Sequence, residues 1–208
     1  MNEIVSVDLG NYSVKTSGKI IFKSVYTEYD YKQEMNKTNS IIYNGVNYAI
    51  GVGDFDTTYD KTQKVDTTPL LLYGLSQSIK SNCAKVNLVI GLPADQHKNK
   101  ELKESLKSKF TRSFGFNVNG ITKCINIENV LVFPECIGAY YSIDENLNNE
   151  DVIVIDIGGG TTNIVLFESG VYNNSKSLPF GTIQVLSLIH ISEPTRQEAI
   201  SYAVFCLK

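Results

Sequence analysis

Two stretches of this chain carry the residue types needed to grip phosphate and a hydrated cation. The first is Asp156-Ile157-Gly158-Gly159-Gly160-Thr161-Thr162-Asn163. An apolar run over 152–155 leads into it and another over 164–167 leads out, giving strand, glycine turn with hydroxyls, strand. Glycines let a backbone take positive φ and approach an anion closely. The N–H groups of the turn and the hydroxyls of Thr161 and Thr162 could then donate to phosphate oxygens. Asp156, at the strand end, could hold a hydrated magnesium ion. The same residues also suit a tight hairpin with no ligand, since short motifs match by accident.

The second stretch, Ile4 to Lys15, repeats this grammar. A strand ends in Asp8-Leu9-Gly10, a small polar turn follows at Asn11, and a second strand runs through Ser13 to Lys15. Two Asp-x-Gly hairpins, one at the N-terminus and one past residue 150, predict two facing phosphate loops.

The elements that must position these loops can be read in chain order. Residues 3–8, 12–17 and 20–25 read as three strands. Ser40 to Ile50 holds two β-rich runs around Asn44-Gly45, a two-residue hairpin signal. The region 26–68 is otherwise polar, and reads either as a small inserted subdomain or as a surface excursion. Thr67-Thr68-Pro69 predicts a helix start, with hydroxyl cap candidates before a proline. Leu71, Leu75 and Ile79 give that helix one buried stripe. Residues 85–90 predict a buried strand ending in Gly91-Leu92-Pro93. A helix over 98–110 follows, with Leu102, Leu106 and Phe110 on one face and lysines, read as solvated, on the other. Short strands are predicted at 114–119 and 121–127, around Asn119-Gly120, and another at 130–133. That last strand delivers Pro134-Glu135 into the first turn of a helix through Ile137, Ala139 and Tyr141. Glu135 there is either a helix-dipole partner or a catalytic carboxylate. Residues 144–151 read as a linker. Strands at 152–157 and 162–168, and a shorter one within 170–179, follow.

The paired hairpins, Gly91-Leu92-Pro93 and Pro134-Glu135 together resemble the superfamily of actin, heat-shock chaperones and sugar kinases. Within it the chain is most similar to the bacterial actin-like proteins of the ParM type, which segregate plasmids. The resemblance covers nearly all of residues 1–185. It implies an α/β fold: an RNase H-like actin-fold domain I over 1–147, with an inserted subdomain at about 26–68, then the first strands of a truncated domain II over 148–185. It implies hydrolysis of ATP or GTP with Mg2+, by in-line attack of water on the γ-phosphate. By the same resemblance, Gly10, Asn11, Ser13 and Lys15 hold terminal phosphates in the first loop, and Gly158, Gly159, Gly160, Thr161 and Thr162 hold them in the second. Asp8 and Asp156 are the magnesium carboxylates. Glu135 and Asp156 form the catalytic set, with Glu135 positioning water. The partners implied are further copies of the protein in a filament and a DNA-binding adaptor, with no direct contact to nucleic acid or membrane, in the cytoplasm. The family's adenosine pocket lies beyond the second loop, so the chain as given is expected to bind ATP weakly and to be inactive alone. Two other readings stay open: a sugar or acetate kinase, for which Asp95 is the one acceptor-site candidate, and a non-catalytic interaction domain.

Composition agrees with that frame. Net charge is −3 over 208 residues, which gives no electrostatic case for nucleic acid. No apolar run is long enough to span a bilayer. Glu3 sits where a signal peptide would be basic. Cys83, Cys124, Cys136 and Cys206 lack metal-site spacing and read as reduced thiols. The segment 186–208 resembles translated sequencing adaptor: Leu186 to Arg196 and Ile200 to Leu207 match fixed segments that flank an index-sized gap. The alternative is a genuine amphipathic end, with Ile200, Val204 and Leu207 on one helical face.

Overall fold

The computed structural model describes residues 2–30, 39–55, 66–143, 150–189 and 204–207. They divide into two compact units, Met1–Gly91 with Glu101–Phe133, and Leu92–Lys100 with Pro134–Lys208. The expected domain boundary at 147/148 lies outside the described residues, as do 31–38 and 56–65 of the expected insertion.

The first unit is built on a nine-stranded sheet. Strands β1 (Glu3–Leu9), β2 (Ser13–Thr16) and β3 (Ile21–Lys23) form an antiparallel meander at one side. β1 also pairs in parallel with a later strand, Cys83–Leu92, putting Val5 opposite Leu88 and Val7 opposite Ile90. All four of these side chains are buried, which pins the register, since a one-residue slip would turn them to the other face. The region after β3 supplies β4 (Tyr26–Tyr29), β5 (Ser40–Tyr43) and β6 (Val46–Ile50). With β7 (Cys83–Leu92), β8 (Ser113–Val118) and β9 (Ile121–Pro134), the order is β3-β2-β1-β7-β9-β8-β5-β6-β4. The described part of the expected insertion thus extends the same sheet through pairing of β5 with β8. Asn44-Gly45 and Asn119-Gly120 form the hairpin turns, with φ of 51° and 78°, and of 50° and 84°. Positive φ at both central positions is what a twist-matched two-residue turn requires.

Helix α1 (Thr68–Ser78) is buried over Thr68 to Ser76, not along one stripe, so Leu70, Leu72 and Tyr73 join Leu71 and Leu75 in the core. Its start also differs from expectation. Thr67 makes no side-chain cap bond. Asp66 Oδ1 accepts from the Thr68 amide at 3.1 Å and the Thr68 hydroxyl at 2.6 Å. At the other end, the buried Lys123 ammonium donates to the carbonyls of Ile79 and Ser81, complementing the negative helix terminus. Helix α2 (Lys100–Phe110) follows a short 3-10 turn, Gln96–Lys98, and buries Phe110.

β9 is one strand of 14 residues where two were expected. Buried positions run Lys123, Ile125, Ile127 and then Val130, Val132. The alternation slips by one residue at Glu128-Asn129, which reads as a gap in sequence although the backbone stays extended. Lys85 pairs with Glu128 at 2.9 Å and Asn129 donates to Asn87 at 2.9 Å, so this step is held to β7.

The second unit is a four-stranded sheet, β12-β11-β10-β13, from β10 (Val152–Ile157), β11 (Thr162–Glu168), β12 (Val171–Leu178) and β13 (Val204–Leu207). Val152, Val154, Val165 and Phe167 form its core with Ala94, Cys136 and Tyr140. Tyr140 comes from helix α3 (Ile137–Tyr141) and stacks on Phe167 at 3.8 Å. Helix α4 (Thr182–Ile189) follows β12. β13 lies in the segment read as adaptor-derived and pairs antiparallel with β10. No helix among the described residues is long and apolar enough to cross a membrane.

Candidate functional site

In the first unit, Asp8, one residue before the end of β1, lies directly opposite Lys15 on β2, and their charged groups lie 3.8 Å apart. The pair is 45% and 28% exposed, so its contribution to stability is small. Its value is placement: a carboxylate and an ammonium flank one turn. Gly10 is required in that turn. A Cβ there would lie 2.8 Å from the Ser13 carbonyl, closer than atoms can approach. The turn is steadied by the Ser24 amide, which donates to the Tyr12 carbonyl at 2.9 Å, and by stacking of Tyr12 on Phe55.

In the second unit, Asp156 on β10 is opposite Asn163 on β11, and the glycine turn closes between them. The Gly158 amide donates to the Thr161 carbonyl at 2.8 Å. The carbonyls of Gly158 and Gly159 accept from the amides of Thr182 and Ile183, each at 2.9 Å. These are first-turn donors of α4, which have no partner within the helix. A trans peptide points its N–H opposite its C=O. With both carbonyls drawn to α4, the amides of Gly159 and Gly160 point away from it, as an anion cradle needs. Gly181 makes this approach feasible, since a Cβ there would sit 2.5 Å and 2.6 Å from the Gly158 and Gly159 carbonyl oxygens. The Gly181 amide in turn donates to Gln184 Oε1, one half of a capping box.

The glycines act differently from the expectation. None of Gly10, Gly158, Gly159 and Gly160 has positive φ. At Gly10, and more mildly at Gly158, where a Cβ would lie 3.2 Å from the Thr161 carbonyl, the constraint is the missing Cβ. Thr162 also differs. Its hydroxyl donates to the Phe180 carbonyl at 2.7 Å, and a hydroxyl has one proton to give.

Glu135 does not sit in a helical turn. Pro134 is the last residue of β9, Glu135 follows in a turn, and α3 begins at Ile137. Cys136 between them has φ of 69°, a left-handed conformation that delays the helix. The Glu135 amide donates to the Leu92 carbonyl at 2.7 Å, and its Oε2 accepts from Asn163 Nδ2 at 3.2 Å. Asn163, 3% exposed, is bonded on its other side to Ser177. Ser177 reaches Asp95 at 2.9 Å, and Asp95 accepts from the Gln96 amide, capping the 3-10 turn. Burial, then the negative charges of Asp156 and Glu135, push the Cys136 thiol far above its ordinary range. One buried thiol thus feels both proposed catalytic carboxylates, while Asp8, Asn11, Ser13 and Lys15 belong to the first unit's hairpin.

Sequence reasoning missed Asn163 and Ser177 as members of this site. Asn163 left a signal: it shares strand parity with Val165 and Phe167, both fully buried, so an amide stands on an apolar face. Ser177 left none, lying in a strand rich in Asn, Ser and Lys. Among the described residues, no three His, Cys, Asp or Glu side chains cluster to cage a metal. Asp8 and Asp156 each offer a carboxylate oxygen, the donor type that magnesium takes beside its retained waters.

Residues 6–138 match the family model described as the N-terminal domain of actin-like proteins. Among solved structures the chain is similar to the Alp12 filament, with 22% identity, a TM-score of 0.70 and coverage of 92% of this chain and 66% of that one. It is similar to the filament of AlfA from the B. subtilis plasmid pLS32, with 19% identity, a TM-score of 0.71, and coverage of 90% and 76%. An archaeal actin homologue in complex with ADP matches at 18% identity and a TM-score of 0.70, covering 90% and 64%. No curated protein matches the sequence.

Proposed function

We infer the role of this chain from the family it belongs to, the actin-like proteins, through the N-terminal domain matched over residues 6–138. We propose that the whole protein hydrolyses ATP or GTP and polymerises into nucleotide-dependent filaments that segregate a plasmid in the cytoplasm. The chain spans 66% of the Alp12 chain, and the proposed activity is that of the whole polymerising protein. The observation that carries the reading is the second hairpin, whose carbonyls are drawn to α4 so that the Gly159 and Gly160 amides point the other way. Fold likeness to AlfA and Alp12 filaments supports self-association, and likeness to an AlfA filament with AMPPNP supports nucleotide binding. A separate DNA-binding adaptor is the partner this role calls for.

In this reading Gly10, Asn11, Ser13 and Lys15 contact phosphate from the first hairpin, and Gly158, Gly159, Gly160 and Thr161 from the second. Thr162 orients its loop through Phe180. Asp8 and Asp156 hold magnesium through water, and that ion neutralises phosphate charge when bound. Glu135 orients the attacking water. Asp95 is a poor acceptor-site base for a sugar or acetate kinase, because its carboxylate is engaged in capping the 3-10 turn, where it accepts from the Gln96 amide.

The test is light scattering with parallel phosphate release, in the full-length encoded protein, with ATP, GTP, ADP or no nucleotide and Mg2+. Scattering is expected to rise with a triphosphate and to decay as phosphate appears. Glu135→Gln should still assemble while phosphate release slows by on the order of a hundredfold. Equal assembly without nucleotide would instead favour a non-catalytic interaction protein, and no assembly at all would overturn the filament reading.

A further inference from the structure

Strands β7 and β9 are neighbours in the nine-stranded sheet, and the contacts between them advance together along both. The Cys124 amide donates to the Asn82 carbonyl at 2.7 Å, Lys85 pairs with Glu128, and Asn129 donates to Asn87. The two strands therefore run parallel. In a parallel ladder, the residue whose amide donates to one carbonyl lies opposite the next residue along. Cys124 thus stands opposite Cys83. The same register sets Val86 opposite Ile127, and both are buried. Cys83 and Cys124 have the opposite parity to these core positions, so both thiols stand on the other face, and both are exposed. On its other side Cys124 faces Gly115, where a Cβ would meet nothing within 4 Å. The backbone under the pair is fixed. The Ser81 hydroxyl donates to the Cys83 carbonyl at 2.8 Å, and the Lys123 ammonium donates to the carbonyls of Ile79 and Ser81.

We propose that Cys83 and Cys124 form a dithiol site that small-molecule disulfides oxidise reversibly to an internal Cys83–Cys124 bond. Neighbouring strands lie about 4.8 Å apart, inside the window of about 4.4–6.8 Å over which two Cα atoms accept a disulfide. Side chains that stand perpendicular to a sheet keep roughly that spacing at Cβ, wider than the about 3.8 Å of a relaxed disulfide. The bond is therefore both exposed and pulled against the sheet, and such disulfides are the readily reduced ones. In the first step one cysteine thiolate attacks the oxidant disulfide, forms a mixed disulfide and releases one small thiolate. The second cysteine, its proton lost to solvent, attacks the protein-side sulfur of that mixed disulfide. This closes the internal bond and releases the second small thiolate. The two cysteines give up two electrons and two protons, and the two released thiols carry them.

The experiment treats the 208-residue chain, Cys83→Ser and Cys124→Ser with glutathione disulfide, then alkylates the remaining thiols and maps peptides by mass spectrometry. The wild type is expected to lose both alkylatable thiols together and to yield a Cys83–Cys124 cross-linked peptide. Peptide mapping separates that bond from any bond to Cys136 or Cys206. Each serine variant lacks the resolving thiol and should retain on the order of tenfold more glutathione at its remaining cysteine, because a paired thiol acts at high effective concentration. Dithiothreitol should restore both thiols in the native wild type. Both cysteines left free, both carrying glutathione without a cross-link, or bonds formed between chains would each overturn the dithiol site. A cross-link that dithiothreitol leaves intact in the native protein would overturn its reversibility.

Discussion

At the scale of single residues, the site depends on atoms that are missing as much as on those present. Gly181 is the clearest case, since any Cβ would overlap two carbonyl oxygens of the glycine turn. Gly181→Ala is expected to push α4 off the turn, lower stability by about 1–3 kcal/mol and weaken nucleotide binding. A thermal melt beside an ATP titration checks both effects, and unchanged binding would show that α4 does not set the turn. Cys136 gives a second test. It is buried and its thiol is held protonated by burial and by Asp156 and Glu135, whereas Cys83 and Cys124 are exposed. The thiolate is the reactive form, so iodoacetamide at neutral pH should label Cys83 and Cys124 in the native protein and Cys136 only on unfolding. Mass spectrometry of labelled peptides reads this directly. The left-handed turn at Cys136 was not legible in sequence, because nothing in Pro-Glu-Cys-Ile requires positive φ at a cysteine.

At the scale of elements, what was legible followed from local chemistry. Both Asn-Gly hairpins, the Asp-x-Gly strand ends and the buried strand over 85–90 within β7 were readable because turn chemistry and short apolar runs are local signals. What escaped depended on partners far along the chain. β9 was split because its alternation slips at Glu128-Asn129, and only contacts with Lys85 and Asn87 show the strand continuing. At the start of α1 the cap comes from the Asp66 carboxylate and not from the Thr67 or Thr68 hydroxyl, and Asp66 is further fixed by Lys109 at 2.8 Å. Burial raises the Asp66 carboxyl, but bonds from Lys109 and Thr68 outweigh it and the net shift is downward. A carboxylate depressed in the folded state stabilises above its unfolded pKa, and that contribution fades as pH falls through the folded value. Asp66→Ala is therefore expected to cost about 1 kcal/mol at neutral pH, with the difference from wild type shrinking in acid. Urea melts at pH 7 and below pH 3 check the sign, and a constant difference would place the effect elsewhere.

At the scale of the whole chain, the question is what covers the outer edge of β10. On one side β10 pairs with β11 over six residues, and on the other with β13 from Ile153↔Leu207 to Asp156↔Val204. Strand addition uses main-chain hydrogen bonds, so it accepts many β-prone sequences and does not require that β13 evolved for the place. That is compatible with the resemblance of 186–208 to translated adaptor. The edge itself is demanding: Val152-Ile153-Val154-Ile155 is β-branched throughout and holds neither charge nor proline, the composition that pairs with other chains when uncovered. A chain ending at Ile189 leaves those amides and carbonyls without β13. It is expected to self-associate with rising concentration even without nucleotide, unlike the 208-residue chain. Adding Ile153→Lys should suppress that association, since a charge beside an open edge opposes pairing. Size-exclusion chromatography with light scattering over a concentration series distinguishes the three proteins. A shortened chain that stays monomeric at every concentration would mean that β10 is protected by something other than β13.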